Sequence, residues 1–469
     1  MLHDFLQKQI IENLPFLPTE EQCCCVEEIA KFCTSRLPMQ CMLLKGYAGT
    51  GKTSLVSALV RTMTALGQST VLLAPTGRAA KVLSGYSGHE ATSIHKKIYR
   101  QKSAYELSFV LDFNKHKNTL FIIDEASMIP DGYSEGNMFG SGRVLDDLVE
   151  YIYSSDNCRM ILIGDTAQLL PVGQDFSPAL DKKKLEQYSL DVIEFLLTDV
   201  VRQAHESGIL SNATALRHLI GKPDFQMPTI STSFPDVISL NGADLIDSIN
   251  TSYREVGAEQ TVVITRTNKR AMLFNQGIRN TVLQREDMMG NGDMLMVVKN
   301  NYFWSEKYDN LGFIANGDMA QISRIRRQEE MYGFRFADVT LSLLDYDMDI
   351  DCKIWVDSLL TATPKDMEMK NKQLFEEVEK DYSDISSRRK RFLAMRKNEF
   401  LNALQIKFGY AITCHKAQGG QWQDVYIDCG YLTQEMLNRE FLQWLYTAIT
   451  RCQRKLYLVN FRKEFLGGE

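Results

Sequence analysis

The segment GYAGTGKTS, Gly46–Ser54, limits what this chain can fold into more than any other stretch of the sequence. It fits the pattern G-x-x-x-x-G-K-[ST] and directly follows an apolar run at residues 41–44. In proteins this pattern connects a strand to a helix, and backbone N–H groups at the helix N-terminus point towards a bound phosphate. The sequence therefore predicts a strand ending at Leu44 or Lys45 and a helix beginning at Lys52.

The residue types in this loop indicate a bound nucleoside triphosphate with Mg²⁺. Gly46, Gly49 and Gly51 let the backbone approach the phosphates without a Cβ in the way. Lys52 would supply positive charge to the β- and γ-phosphates, and the Thr53 hydroxyl would ligate Mg²⁺. The loop alone does not say what the chain does with the nucleotide.

The composition is that of a soluble protein of several domains. A chain of 469 residues with 44% hydrophobic and 24% charged residues should form two to four domains. No run of about 18 uncharged apolar residues and no signal-peptide core is present, so we expect a cytoplasmic protein without a membrane partner. The ten cysteines contain no C-x-x-C pair and indicate reduced thiols rather than metal ligands. The net charge of −6 argues mildly against a nucleic-acid partner but does not exclude one, because phosphate binding needs only a local basic surface.

Residues 40–200 alternate short apolar runs with helical stretches, which predicts a parallel sheet. Each predicted strand ends in a loop with polar chemistry, and such loops meet at one edge of an open parallel sheet. The strands predicted here are Met42–Leu44, Val71–Leu73, Leu120–Ile123 and Met160–Ile163.

A second α/β series follows at residues 262–268, 410–421, 425–428 and 445–451, and it is interrupted by an insertion at about 285–404. The first half of the insertion alternates β-rich runs with turn signals, which predicts a small antiparallel barrel or sheet. The second half predicts charged helix, with Leu374, Val378 and Ile385 on one face. The run Arg388–Arg391 fits either a solvated helix face or a phosphate contact.

Two adjacent carboxylates follow the apolar run at 120–123. At this place in a nucleotide-binding unit, Asp124 would hold Mg²⁺ and Glu125 would be the general base for the attacking water. Gln168, after the next apolar run, could orient that water because its amide both donates and accepts. Arg202 and Arg451 lie among apolar and small residues, so each needs an anionic partner, either a phosphate or a structural carboxylate.

The segment ITCHKAQGGQW, residues 412–422, places hydroxyl, imidazole, ammonium and amide groups beside two glycines. This combination suits contact with a phosphodiester backbone. The loops at 74–83 and 91–99 are likewise rich in small residues and residues with hydroxyl groups.

Taken in order, these segments resemble the motifs of superfamily 1B DNA helicases of the RecD, Dda and Pif1 group, and the layout is most similar to the Dda type. The resemblance covers residues 18–460. The matching segments are LPTEEQ for the Q-motif, GYAGTGKT for motif I, LAPTGRAA for Ia, TSIH for the next DNA-contact motif, IIDEASM for II, GDTAQLLPV for III, LTDVVRQ for IV, ITCHKAQGGQWQDV for V and LYTAITRCQRKLYLV for VI.

The resemblance implies an α/β fold with two RecA-like parallel-sheet domains. Domain 1A would span residues 1–210, with a small duplex-splitting hairpin at about 84–118. Domain 2A would comprise residues 211–284 and 405–469, and residues 285–404 would form an inserted SH3-like β-barrel with helices that braces the hairpin.

The resemblance also assigns site residues and partners. ATP and Mg²⁺ would bind between the domains, and single-stranded DNA would cross their top and meet duplex junctions. Travel would be 5′ to 3′, by a chain that acts as a monomer and meets replication, repair or nuclease proteins. The catalytic residues would be Lys52, Glu125, Gln168, Arg202 and Arg451; the metal ligands Thr53 and Asp124; the nucleotide contacts Gln22, Gly46, Ala48, Gly49, Thr50, Gly51, Lys52, Thr53, Ser54 and Gln421; the DNA contacts Pro75, Thr76, Ser93, His95, Thr267, Asn268, Thr413, His415, Lys416 and Gln418.

Three other functions stay open at this point: the motor subunit of a nuclease complex, an RNA helicase, and a nucleotide-switched scaffold without a DNA role. One departure from the family pattern is Gly77, where some relatives carry a bulky side chain that contacts DNA. We therefore expect backbone contacts by Pro75 and Thr76 there rather than base stacking.

Overall fold

The chain folds into two parallel sheets and a closed barrel, which confirms the predicted α/β class with an inserted barrel. The structure, a computed structural model, describes residues 2–103, 106–132, 139–200, 207–308, 311–346, 348–361 and 363–467. No helix in these ranges is both long enough and apolar enough to cross a membrane. All ten cysteines are free thiols.

The first part of the chain builds a six-stranded parallel sheet with helices on both faces. Its elements are α1 (Leu2–Glu12), α2 (Glu20–Thr34), β1 (Gln40–Gly46), α3 (Lys52–Ala65), β2 (Thr70–Ala74), α4 (Gly77–Ser87), β3 (Ala91–Ser93), α5 (Ile94–Ile98), β4 (Tyr99–Ser103), β5 (Glu106–Leu111), β6 (Leu120–Ile123), α6 (Val144–Tyr153), β7 (Arg159–Gly164), α7 (Lys182–Glu186) and β8 (Asp191–Leu197). The sheet order is β3-β2-β6-β7-β1-β8. Separate apolar clusters cover its two faces, which is why its central strands are continuous apolar runs.

One strand of this sheet differs from the sequence-based expectation. The edge strand β8 pairs with β1 along its whole length although its sequence did not predict a strand. Only Val192 and Leu197 of its seven residues are buried, so it lacks the continuous apolar run of a central strand. The strands β4 and β5 form an antiparallel hairpin outside the sheet, within residues 84–118, where a small hairpin was predicted.

The chain then begins a second sheet before the barrel interrupts it. The elements of this segment are α8 (Gly208–Ile220), β9 (Ile230–Ser231), β10 (Val237–Leu240), α9 (Leu245–Glu255), β11 (Thr261–Thr265) and α10 (Asn268–Gly277).

The inserted barrel is a closed, five-stranded structure with two helices between its last strands. Its elements are β12 (Met294–Val297), β13 (Met319–Met331), β14 (Phe334–Leu343), β15 (Met348–Trp355), α11 (Pro364–Lys380), α12 (Arg388–Met395) and β16 (Leu404–Phe408). Leu374 and Val378 of α11 pack against Trp355, whereas Ile385 is only half-buried in the turn before α12. In α12, Arg391 pairs with Glu379 at 3.1 Å, which favours the structural interpretation of the basic run.

The barrel extends four residues beyond the expected boundary at 404, because its closing strand is β16. This strand pairs with both β12 and β15 and is only five residues long. Its partners lie up to 113 residues away along the chain, for example Leu295 opposite Phe408, so local patterning could not assign it to the barrel.

The second sheet is completed after the barrel and is also parallel. The remaining elements are β17 (Ala411–Thr413), α13 (Cys414–Ala417), β18 (Trp422–Asp428), α14 (Arg439–Ile449), β19 (Cys452–Val459) and β20 (Leu466–Gly467). The sheet order is β10-β19-β18-β11-β17. One apolar cluster is continuous through this sheet and the barrel.

Candidate nucleotide cleft and nucleic-acid surface

The phosphate-binding loop lies between β1 and α3, as its pattern predicts. Gly49 and Gly51 have φ values of +79° and +85°, in the left-handed region that favours glycine. The Lys52 ammonium donates to the carbonyls of Gly46 at 2.7 Å and Tyr47 at 2.8 Å. The loop therefore curves around the ammonium group that would meet the phosphates.

This loop forms one wall of a cleft of about 590 Å³ between the two sheets. The cleft gathers most of the predicted nucleotide residues from motifs that are far apart in sequence. Those that line it are Ala48, Gly49, Gly51, Lys52, Thr53, Ser54, Asp124, Glu125, Gln168, Gln421 and Arg451.

The two acids at the end of β6 lie in different environments. Asp124 is half-buried, accepts hydrogen bonds from the Glu125 N–H at 2.8 Å and from the Tyr86 hydroxyl, and has its pKa raised by desolvation. Glu125 lines the cleft and has a φ of +51°, which a non-glycine residue adopts only at a cost of about 1–3 kcal/mol. Both carboxylates line the cleft, and the left-handed backbone at Glu125 indicates that the surrounding structure enforces its position.

Gln168 is 6% exposed and lies on the cleft wall after β7. Its side-chain Oε1 is buried and has no hydrogen-bond partner among the described residues. An orphaned buried acceptor is unfavourable unless a ligand or a water fills it. The geometry is therefore suited to holding a water by one of its hydrogens.

Arg451 reaches the same cleft from the second sheet. It is 4% exposed, and its Nη1 lies 3.5 Å from Oε1 of Glu125. Its Nε donates to the Thr447 carbonyl at 3.1 Å, which fixes the guanidinium at the end of α14. The predicted partner arginine, Arg202, lies outside the described residues.

Tyr446 is a site residue that sequence reasoning missed. Its hydroxyl accepts from the Ala48 N–H at 2.9 Å and donates to Oδ2 of Asp165 at 2.5 Å. One hydroxyl on α14 thus links the phosphate loop to the loop after β7. In the sequence it is a tyrosine five residues before Arg451. Its neighbours do not distinguish it from an aromatic residue of the core, so its role could not be predicted.

Further bonds join the loop after β7 to the second domain. The backbone of Leu169 donates to the Thr447 hydroxyl at 2.8 Å and accepts from the Gln418 amide at 2.9 Å. The Gln443 amide donates to the carbonyl of Gln168 at 3.3 Å. Gln418 was predicted to contact DNA; the structure instead uses its amide, which is 6% exposed, to hold two motifs together.

Gln22 is also placed differently from its predicted role of reading adenine. Its Oε1 accepts from the Thr19 N–H at 3.0 Å in a capping box at the start of α2, and its Nε2 donates to the Thr50 carbonyl at 3.0 Å. The side chain is 1% exposed, and a Cβ on Gly51 would lie 2.5 Å from its Nε2. Gln22 therefore supports the phosphate loop from behind.

The residues present fit a Mg²⁺ ion held together with a nucleotide. The Thr53 hydroxyl and the Asp124 carboxylate line the same cleft and are oxygen donors, which Mg²⁺ prefers. No cluster of three His, Cys, Asp or Glu side chains that could bind a metal occurs in the described ranges. Mg²⁺ bound with a nucleotide commonly takes one or two carboxylates and completes its shell with phosphate and water oxygens.

The predicted DNA residues of the first domain lie at helix N-termini. Thr76 caps α4 by accepting from the Ala79 N–H at 3.1 Å, and Pro75 precedes it. Ser93 caps α5 in the same way. His95 packs its ring against Phe139 with centroids 5.0 Å apart, and burial lowers its pKa to about 4. His95 is thus neutral at pH 7, and the structure does not support a charged contact with phosphate.

The predicted DNA residues of the second domain lie at the ends of β11 and β17. Thr267 caps α10, whose first residue is Asn268. Thr413 precedes α13, on which His415 is exposed. Lys416 lies in a second cleft beside Asn268 and Thr413, and burial lowers its pKa to about 8.

The barrel contacts the first domain at the hairpin and at α4. Tyr302 and Phe313 join an aromatic cluster with Phe109 of the hairpin strand β5; the Phe109–Tyr302 centroids lie 4.5 Å apart. At Gly77, a Cβ would lie 2.6 Å from the hydroxyl oxygen of Tyr346. The glycine that departs from the family pattern is therefore required by the barrel, which occupies that space.

Two family descriptions match the chain. An AAA domain matches residues 20–224, and a UvrD-like helicase C-terminal domain matches residues 408–459. The first contains the phosphate loop and both acids, and the second contains Lys416 and Arg451.

Among curated relatives, the chain is 23% identical over 429 residues to the ATP-dependent RecD2 DNA helicase of Deinococcus radiodurans. That match covers 89% of this chain and 46% of the relative, so the chain spans about half of the relative's length. It is 32% identical over 136 residues to the ATP-dependent DNA helicase dda of Enterobacteria phage T4, or 28% of each chain.

Among solved structures, the chain is similar to a Bacteroides Pif1 helicase in complex with ADP-AlF3 and single-stranded DNA, with a TM-score of 0.47, 14% identity, and 97% and 95% of the two chains covered. The two domain matches and the RecD2 and Dda relatives make the chain similar to the superfamily 1B helicases, which agrees with the resemblance that the order of its motifs predicted.

Proposed function

We propose that this protein is an ATP-dependent DNA helicase that moves 5′ to 3′ on single-stranded DNA and unwinds duplexes as it hydrolyses Mg²⁺-ATP. The observation that carries the proposal is the contact between Arg451 of one sheet and Glu125 of the other, 3.5 Å apart in the cleft that holds the phosphate loop. A hydrolysis site completed from two domains couples turnover to their relative motion.

The residues of the cleft divide the chemistry of hydrolysis among them. Glu125 accepts a proton from the attacking water, and the free Oε1 of Gln168 orients that water. Arg451 and Lys52 stabilise the charge that develops on the γ-phosphate. Mg²⁺, held by Thr53 and Asp124, would neutralise phosphate charge in the bound nucleotide.

The bonds around the loop after β7 transmit the state of the nucleotide to the second domain. Tyr446 touches both the phosphate loop and Asp165, while Gln418 and Thr447 hold Leu169. A change in the γ-phosphate region therefore reaches α13 and α14 through a few polar contacts. The predicted DNA residue Lys416 lies on α13, so the same path reaches the strand.

The strand would cross the top of both sheets. Pro75 and Thr76 lie at the end of β2, whereas Asn268 and Thr413 lie at the ends of β11 and β17. Helix N-termini and small polar side chains at these ends suit the phosphates of a single strand without reading its bases. The hairpin β4–β5, supported by the barrel at Tyr302, would separate the duplex ahead of the strand.

The proposal is tested by ATP hydrolysis with and without single-stranded DNA. We expect DNA to stimulate the rate, and we expect binding to weaken as salt is raised and to depend little on base sequence. Glu125→Gln should keep ATP bound but lower kcat by about 10²–10⁴, because the base is lost while the phosphate loop remains. Lys52→Ala, in contrast, should lose ATP binding.

Three outcomes would contradict the proposal. Hydrolysis that single strands do not change would favour a nucleotide switch without a DNA role. Stimulation by RNA but not DNA would reassign the substrate. Normal turnover by Glu125→Gln would remove that residue as the base.

A further inference from the structure

A second cleft, of about 580 Å³, lies between α10 of the second sheet and the barrel. Its walls come from α10, the barrel strands β12 and β16, the segment after β15, and α11. Sites for small molecules commonly have volumes of about 300–1,000 Å³. None of the residues that line it takes part in the proposed hydrolysis.

The floor of this cleft is apolar. The floor is formed by four apolar side chains: Met272, Met296, Leu359 and Phe408. The last three are buried, each with less than 9% of its surface exposed. An apolar floor of this kind suits a flat ligand with little charge, such as a nucleobase held between apolar side chains.

Three lysines surround the apolar floor. Lys299, Lys407 and Lys416 all line the cleft, and within the described ranges none of them forms an ion pair with a carboxylate, Glu368 on the rim included. Lys407 donates to the carbonyls of Ser358 and Thr361. Burial lowers the pKa of Lys407 and of Lys416 to about 8, so both side chains are still mostly charged at pH 7. Their positive charge has no carboxylate partner among the described residues.

The cleft is continuous with the surface to which the proposed function assigns the DNA strand. Asn268, Thr413 and Lys416 belong to both. A ligand that enters from that surface would present a phosphate to the lysines and an apolar, planar group to the floor. A nucleotide within a strand has this combination of groups.

We propose that this cleft binds one nucleotide of the tracked strand, with its base on the apolar floor beside Met272 and its phosphate at Lys416 and Lys299. This inference rests on the proposed function, because it requires a strand on the adjacent surface. In single-stranded DNA the base has no partner to leave, so turning it into the cleft costs little. The protein would then grip one base as well as the phosphate backbone.

The experiment places 2-aminopurine at each position in turn along a short single strand bound to the full chain without ATP. A base withdrawn from its neighbours fluoresces more strongly than one stacked on them. We expect one position to be markedly brighter than the rest. An abasic residue at that position should weaken binding by about tenfold, as for the loss of one well-packed base, whereas an abasic residue elsewhere should have little effect.

Two variants fill the cleft and one matched control does not. Met272→Trp adds bulk from α10, and Leu360→Trp adds it at a position that is 47% exposed, where the fold tolerates change. Leu273→Trp alters the next residue, which is 48% exposed and does not line the cleft. We expect both filling variants to remove the bright position while single-stranded DNA still binds, and we expect Leu273→Trp to behave as the unaltered chain does.

Equal brightness at all positions, or a bright position that survives both filling variants, would overturn the inference while leaving the proposed function intact. Failure of any single strand to bind would instead contradict the proposed function. Competition by free thymidine monophosphate that abolishes the bright position at concentrations too low to displace the strand would reassign the cleft to a free nucleotide.

Discussion

Single residues in the hydrolysis cleft carry unfavourable conformations or unmet hydrogen bonds. Glu125 has a left-handed backbone, and the buried Oε1 of Gln168 has no partner among the described residues. Each feature costs about 1–3 kcal/mol and persists only where the surrounding structure enforces it. Both side chains face the space where the γ-phosphate and water would lie. The unfavourable features are therefore located at the residues that would carry out hydrolysis.

The first prediction concerns Arg451. Arg451→Lys keeps a positive charge but loses the planar, bidentate guanidinium, so kcat should fall by about 10²-fold or more. This loss is smaller than the loss of kcat expected when an arginine finger is removed completely. The matched control is Arg454→Lys, three residues along, which alters the ion pair with Asp424 at 2.6 Å outside the cleft. We expect Arg454→Lys to lower Tm without changing kcat. If Arg451→Lys also lowers only Tm, then Arg451 has a structural role.

The second prediction concerns the pH dependence of DNA binding through Lys416. Burial lowers its pKa from 10.5 to about 8, so its ammonium group is charged at pH 7 and mostly neutral at pH 9. If phosphate binds only the charged form, the affinity for a fluorescent single strand should fall by about tenfold from pH 7 to pH 9 at fixed ionic strength.

Lys416→Arg is the control for this titration, because arginine stays charged over the whole range. It should flatten most of the pH dependence; the part that remains would come from Lys407, whose pKa is also about 8. An equally steep fall in Lys416→Arg would show that Lys416 does not face the phosphates.

At the scale of elements, α14 determines how the two domains meet. Tyr446 and Thr447 project from its last turn to the phosphate loop and the loop after β7, and Arg451, two residues beyond its end, reaches Glu125 after β6. Because Arg451 directly follows the helix and its Nε donates to the Thr447 carbonyl, a movement of α14 alters all three contacts at once. The helix therefore acts as a rigid connection between nucleotide and second domain.

The third prediction tests this connection with Tyr446→Phe. Removal of the hydroxyl leaves the Ala48 N–H and Asp165 without their shared partner, so kcat and its stimulation by DNA should both fall. Tyr426→Phe is the matched control, because that buried hydroxyl bonds to Ser248 and Ser252 within the second domain. Both changes should reduce the free energy of unfolding by about 1–2 kcal/mol, but only Tyr446→Phe should affect turnover. Equal kcat in the two variants would contradict the role of Tyr446.

Motifs with a local pattern could be predicted from the sequence, whereas contacts between distant segments could not. The phosphate loop, β6 and the insertion follow from apolar runs and turn signals. The roles of Gln22, Gln418 and Tyr446 depend on partners 28, 249 and 398 residues away along the chain. An isolated glutamine or tyrosine gives no indication of which distant backbone it will meet.

At the scale of the whole molecule, the barrel connects the hairpin to the second sheet. It shares one apolar cluster with that sheet and contacts the hairpin through Tyr302 and the first domain through Tyr346. A rearrangement of the second domain would therefore also change the support of the hairpin. Strand movement and duplex separation would be coupled through the barrel, in addition to the nucleotide cleft.

The last prediction is the direction of travel, which depends on how the two domains alternate their grip and on no single residue. The 5′-to-3′ proposal rests on the resemblance in motif V and on the compact first domain, where only about 35 residues, 84–118, separate the loop after β2 from β6. The structure fills this interval with β3, α5 and the hairpin β4–β5. The opposite-polarity branch usually carries a large helical insertion there, and this interval is too short for one.

The measurement uses two tailed duplexes that differ only in which end bears the single-stranded overhang. With ATP, we expect unwinding of the duplex with the 5′ overhang, and Lys52→Ala is the control for dependence on hydrolysis. Unwinding of only the 3′-tailed duplex would overturn the assigned direction. It would leave the hydrolysis cleft unaffected, because Glu125, Gln168 and Arg451 act on the nucleotide in the same way whichever domain releases the strand first.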